Sequence, residues 1–176
     1  MRRSHPSRAT AWVAGYLVFV LAPLFALLIG TVGPARDFWT EFSAAIGYAG
    51  LAMMGLQFGL TARFRRVTEP WGEDVLYHLH RQLSLVAVAL VIAHPVILFI
   101  VRPNLIGLLT FVDAPLRARF AVLSVVSLLV LVMTSLWRAR LRMRYETWHH
   151  LHVVLAVAAV VTGLAHMVSW GFYLAD

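Results

Sequence analysis

Residues 77–101 read YHLHRQLSLVAVALVIAHPVILFIV, and residues 145–170 read YETWHHLHVVLAVAAVVTGLAHMVSW. From Gln82 in the first and Thr147 in the second, neither stretch carries an Asp, Glu, Lys or Arg. Each holds two histidines at one and the same interval, His80 with His94 and His152 with His166. At about 100° per residue, the 14 steps from one to the other return a helical side chain to within about 40° of its starting direction and advance it about 21 Å along the axis. Each segment thus predicts a membrane-spanning helix with two imidazoles on one face, one near each side of the hydrocarbon core. Two such helices facing each other make two bis-histidine sites at two depths.

The remaining histidines fail the same test. His78 and His94 point about 160° apart on a helix, as do His150 and His166, and His149 is about 100° off His166. His5 belongs to a polar tail. A lone intramembrane histidine is as often a hydrogen-bonded polar residue between helices as a functional one, but four with matched spacing, depth and direction favour ligation. No Asp, Glu or Cys accompanies the deep histidines, which argues against a catalytic zinc or di-iron centre. A surface zinc or copper site on His149 and His152, with His78 close by, is the competing metal reading. Neutral imidazoles in an apolar slot suit heme iron. Arg81, beside His80, is placed either to meet heme propionates or to snorkel to the interface.

Outward from these segments, the chain of 176 residues is 61% hydrophobic and 13% charged. Its mean hydropathy is +0.79. Five apolar runs predict spans at about Ala11–Val32, Phe42–Leu60, Leu83–Val101, Phe120–Trp137 and Thr147–Trp170. The expected fold is an all-α polytopic membrane bundle, multi-pass in the inner cell membrane, with lipid as its first partner. The first run follows a basic segment but is too long for a signal-peptide core and reads as a retained anchor. Gly55-x-x-x-Gly59 in the second run predicts close helix packing, and the lone amide there, Gln57, predicts a bond to a neighbouring helix. Pro23 and Pro95 predict bends. The loop from Arg102 to Leu116 is apolar enough to lie on the membrane surface.

Cysteine is absent, excluding disulfides, thiolate heme ligation and iron–sulfur clusters. The formal charge of +7 comes from arginine alone. Arg2, Arg3, Arg8, Arg63, Arg65, Arg66, Arg138, Arg140, Arg142 and Arg144 fall on one side of the predicted spans, against Arg36, Arg102, Arg117 and Arg119 on the other. That asymmetry predicts a cytoplasmic N-terminus. It assigns the arginines to topology and anionic lipid rather than to nucleic acid. His80 and His152 then both lie at the inner end, and His94 and His166 at the outer end.

The chain resembles the ferric reductase-like transmembrane domain shared by ferric reductases and NADPH oxidases. The resemblance rests on His80-Arg81 with His94-Pro95, on Tyr145-Glu146-x-Trp148-x-x-Leu151-His152 with His166, and on Thr134-Ser135. It covers about residues 40–170 and implies that residues 1–176 form a single heme-binding membrane domain. By this resemblance His80 and His152 ligate an inner heme b iron, and His94 and His166 an outer one, with Arg81 also in contact with cofactor. The implied activity is transmembrane electron transfer from a cytoplasmic flavin/NAD(P)H donor to an outer acceptor such as ferric iron, oxygen or a partner protein. The protein supplies ligands and dielectric and no acid–base catalyst.

Most members of that family carry a sixth span and cytoplasmic FAD and nicotinamide domains. Here no Gly-rich dinucleotide motif is present and the sequence stops at Asp176. The expectation is a fragment of a longer reductase, or a dehydrogenase domain or subunit supplied by another chain. Two other readings stay open. One is a stand-alone heme b subunit, linked to quinol or flavin, that feeds a periplasmic oxidoreductase such as a methionine sulfoxide reductase. The other is a non-catalytic heme-binding scaffold.

Overall fold

The computed structural model describes residues 6–29, 37–61 and 73–170, and all regular structure among them is helical. In chain order these are α1 (Pro6–Ile29), α2 (Phe38–Thr61), α3 (Glu73–Val101), a 3-10 helix (Pro103–Leu109), α4 (Leu116–Leu136) and α5 (Tyr145–Trp170). Each of the five predicted spans falls on one of the five α-helices. Arg2, Arg3, His5, Val32, Arg36 and the Arg63–Arg66 cluster lie outside the described residues, as does the side chain of Pro23.

Among the described residues, three helices are long and apolar enough to cross a membrane: Asp74–Val101, Leu116–Leu136 and Tyr145–Ser169. In α1 the described apolar stretch is the shorter Thr10–Ala22. The chain is a multi-pass membrane protein.

Burial is inverted relative to a water-soluble bundle. Among the described residues no fully buried side chain is larger than Ser43. The buried positions combine small residues, Ala87, Ala114, Ala118, Ser124 and Ala159, with a few larger ones, Val20, Met53, Met54, Leu76 and Leu128. Along α5, by contrast, Val153, Val157, Val161, Leu164 and Val168 form an exposed row at helical spacing. Small residues inside and branched aliphatics outside are what a lipid solvent selects. Lipid tails give no hydrophobic reward for hiding leucine, so helices gain most from close backbone approach.

The chain divides into two compact units, Met1–Ile97 and Leu98–Asp176. In the first, Asp37 starts α2 by accepting from Thr40 N at 3.0 Å and from Thr40 Oγ1 at 2.6 Å, which satisfies first-turn donors. Phe38, Trp39 and Phe42 cluster beside it, with ring centroids 5.3–6.1 Å apart. Such aromatics suit the membrane–water boundary. The close approach of α2 to α3 occurs at Gly47 and Gly50. A Cβ on Gly50 would lie 2.8 Å from Val91 Cγ2 and 3.2 Å from the Ala87 oxygen. At Gly55 and Gly59, where the Gly-x-x-x-Gly pattern predicted packing, a Cβ would meet nothing within 4 Å among the described residues. The contact thus follows the side chains that α3 presses against α2, not the glycine motif. α3 continues through Pro95 to Val101.

In the second unit α4 and α5 pack against each other, tied by Ser124 Oγ donating to the Ala159 oxygen at 2.8 Å. The tight connection between them places Arg142 at φ 49, in the left-handed region. In the 102–115 connection Arg119 donates to the Ala114 oxygen at 2.9 Å and the Val112 oxygen at 2.7 Å, leaving Ile106, Leu109 and Val112 exposed. That apolar exposure is what a segment resting on a membrane surface requires.

Gly50→Val inserts a branched side chain where the helices nearly touch. Overpacking of this kind costs about 1–3 kcal/mol. The full chain in detergent should melt measurably lower than wild type, while Gly55→Val should change little.

Candidate functional site: four anchored imidazoles

The four histidines singled out by spacing share one feature: Nδ1 of each ring meets an oxygen on the preceding α-helix. In the first unit His80 Nδ1 is 2.8 Å from Gln57 Oε1 on α2. His94 Nδ1 is 2.9 Å from the Ser43 main-chain oxygen and 3.0 Å from Ser43 Oγ, also on α2. In the second unit His152 Nδ1 is 3.1 Å from Ser135 Oγ on α4. His166 Nδ1 is 2.8 Å from the Arg117 main-chain oxygen at the start of α4. Within each unit, then, both histidines of a pair turn toward the same neighbouring helix.

The partners fix the tautomers. A main-chain carbonyl only accepts, so Nδ1 of His94 and of His166 carries the proton. Ser135 donates its hydroxyl hydrogen to the Leu131 oxygen at 2.7 Å and can only accept from His152. Ser43 likewise donates to the His94 main-chain oxygen at 2.8 Å. Gln57 faces His80 through its amide oxygen. In a neutral imidazole with the proton on Nδ1, the lone pair resides on Nε2. Metal-bound histidines show the same arrangement, with one ring nitrogen donating to an oxygen and the other ligating. The residues present therefore fit a histidine-ligated heme iron.

Space for the rings is also built in. A Cβ on Gly47 would lie 3.0 Å from His94 Cγ and 3.1 Å from its Nδ1, so glycine is what lets that imidazole lie against α2. Gln57, as predicted, bonds across to a neighbouring helix. Sequence reasoning misses the parts played by Ser43, Gly47 and the Arg117 carbonyl. One signal points to them: Ser43 and Gln57 are separated by the same interval as the histidines they anchor.

The other histidines are held differently. His150 Nδ1 meets the Glu146 oxygen of its own helix at 2.7 Å, and His150 is exposed. His149 stacks on Tyr145 at 5.8 Å, and His78 is exposed. Among the described residues no group of three or more His, Cys, Asp or Glu side chains is arranged to hold a metal ion. Arg81 is exposed next to His80. At the same end of α5 as His152, the Trp148 ring lies 5.2 Å from the His152 ring. The Arg138 guanidinium sits 5.3 Å from the centroids of both Tyr145 and Trp148. Cation–π contact of this kind anchors the basic connection to the helix end.

A multi-pass helical membrane protein with paired, oxygen-anchored histidines is the class that fold and site define. Residues 46–163, more than half of the chain, match the family described as ferric reductase like transmembrane component, and the chain belongs to that family. No curated protein and no solved structure matches it.

Ser135→Ala removes the acceptor of His152 Nδ1–H. An unsatisfied donor of this kind costs about 1–3 kcal/mol. In 15N-histidine-labelled full chain prepared without added cofactor, four imidazoles should show the Nδ1–H tautomer. The His152 signal should lose that signature in Ser135→Ala.

Proposed function

We propose that the chain carries electrons across the inner cell membrane through two b-type hemes, each held by two histidines. His80 and His152 would hold the inner iron, and His94 and His166 the outer one. Bound there, heme would supply one-electron carriers at two depths. The observation that carries the reading is the anchoring of all four Nδ1 atoms, which supports Nε2 as the ligating nitrogen on every ring. Family membership and the matched histidine spacing support it independently.

The protein's own contribution is ligand and orientation. Each ring is fixed by a hydrogen bond, so little reorganisation accompanies a change in iron charge. Arg81, exposed beside His80, is proposed to meet a heme carboxylate. The arginine asymmetry supports a cytoplasmic N-terminus. The whole chain is taken as one heme-binding domain with five spans. The electron donor is a cytoplasmic flavin/NAD(P)H dehydrogenase domain or subunit, and the acceptor lies outside.

The purified full chain should show a reduced-minus-oxidised heme b spectrum with two hemes per chain. His94→Ala combined with His166→Ala should leave one, while His78→Ala and His150→Ala should leave both. A chain without heme absorbance, or a spectrum indifferent to the loss of His94 and His166, overturns the proposal.

A further inference from the structure

Among the four Nδ1 partners, Gln57 differs in kind. Main-chain carbonyls hold His94 and His166, and a hydroxyl whose hydrogen is already given to Leu131 holds His152. None of these offers a hydrogen to the ring. An amide can do either. Gln57 is only 8% exposed, its Oε1 lies 2.8 Å from His80 Nδ1, and its Nε2 meets no acceptor among the described residues. Rotating the amide by half a turn would place Nε2 against Nδ1. The ring proton would then have to reside on the His80 nitrogen that binds iron.

Leaving a buried N–H without an acceptor is unfavourable, so the observed orientation needs an offsetting gain. The bond from His80 Nδ1–H to the amide oxygen is that gain. A leucine would fill the same volume with no orphaned donor, yet it would offer Nδ1 of His80 no oxygen.

We propose that Gln57 is a positioning residue that selects the iron-binding tautomer of His80 and, through the strength of the Nδ1–H bond, sets the potential of the inner heme. The proposal rests on the bis-histidine reading above. An acceptor at Nδ1 shifts electron density toward Nε2 and makes it the stronger base. A more basic ligand stabilises the ferric over the ferrous iron and lowers the potential, hydrogen bonding to the ligand being one of the protein's levers on redox tuning. Gln57 is the Nδ1 partner whose amide can be exchanged for acceptors of graded strength without altering the backbone. Ser43 and Arg117 hold their rings through main-chain atoms that substitution leaves in place.

The test is a spectroelectrochemical titration of the heme-loaded full chain, in which wild type should show two one-electron steps. Gln57→Leu should raise the midpoint of one step and leave the other where it was. Gln57→Glu, titrated at mildly alkaline pH, offers a stronger acceptor and should lower that same step. Opposite shifts of one step are not the signature of loosened packing, which moves both variants alike. Shifts in the same direction, shifts of both steps together, or no shift in either variant overturn the proposal. If Gln57→Leu loses a heme, Gln57→Glu decides: two hemes with one lowered step supports the role, and loss of heme there too overturns it. A wild-type chain without two hemes refutes the bis-histidine reading itself, and unmoved potentials in a two-heme protein refute only the role of Gln57.

Discussion

The hydrogen bond from an imidazole Nδ1 to an oxygen on a neighbouring helix is the constraint on which the rest of this structure depends. In hydrocarbon a histidine ring has no water to turn to, and an unsatisfied ring nitrogen is costly. Each of the four rings therefore needs a partner within the protein, and the partner it finds also decides which nitrogen keeps the lone pair. Stability and chemistry are settled by the same contact. Replacing Ser135 or Gln57 by an apolar residue of similar size would leave the helices apolar and the fold intact in outline, yet would remove the oxygen that Nδ1 of His152 or His80 meets.

The packing serves that contact. α2 approaches α3 closely at Gly47 and Gly50, the first of which leaves room for the His94 ring itself. In the second unit, Ser124 and Ala159 let α4 and α5 meet through a hydroxyl–carbonyl bond, with Leu128 buried one turn further along α4. A core of leucines would hold the helices farther apart and stretch the imidazole bonds past hydrogen-bond range. Small buried residues and anchored histidines are thus two aspects of one requirement, a short interhelical distance.

Much of this was legible in the sequence. The apolar runs mark where α1 to α5 lie, because backbone groups in lipid must be satisfied within a helix. The repeated interval singled out His80, His94, His152 and His166, and within each unit both members of a pair engage one neighbouring helix. What was not legible is which glycine and which oxygen do the work. Gly55-x-x-x-Gly59 advertises packing by pattern, but a pattern says nothing of which face the neighbour meets. Ser43 and Arg117 act through main-chain atoms, and a main-chain oxygen has no signature in a sequence.

Two bonds constrain more than one does. A single hydrogen bond between helices tolerates rotation about its own axis and some sliding. In the first unit His80 meets Gln57 and His94 meets Ser43, so the interval between the two contacts on α3 is matched by an equal interval on an antiparallel α2. With both intervals about 21 Å, sliding either helix by one residue would shift each contact by about 1.5 Å and turn it by about 100°. Both bonds would break together. The repeated interval is therefore a lock on the register of α2 against α3. A pair of helices that must hold two rings at two depths has little freedom to hold them any other way.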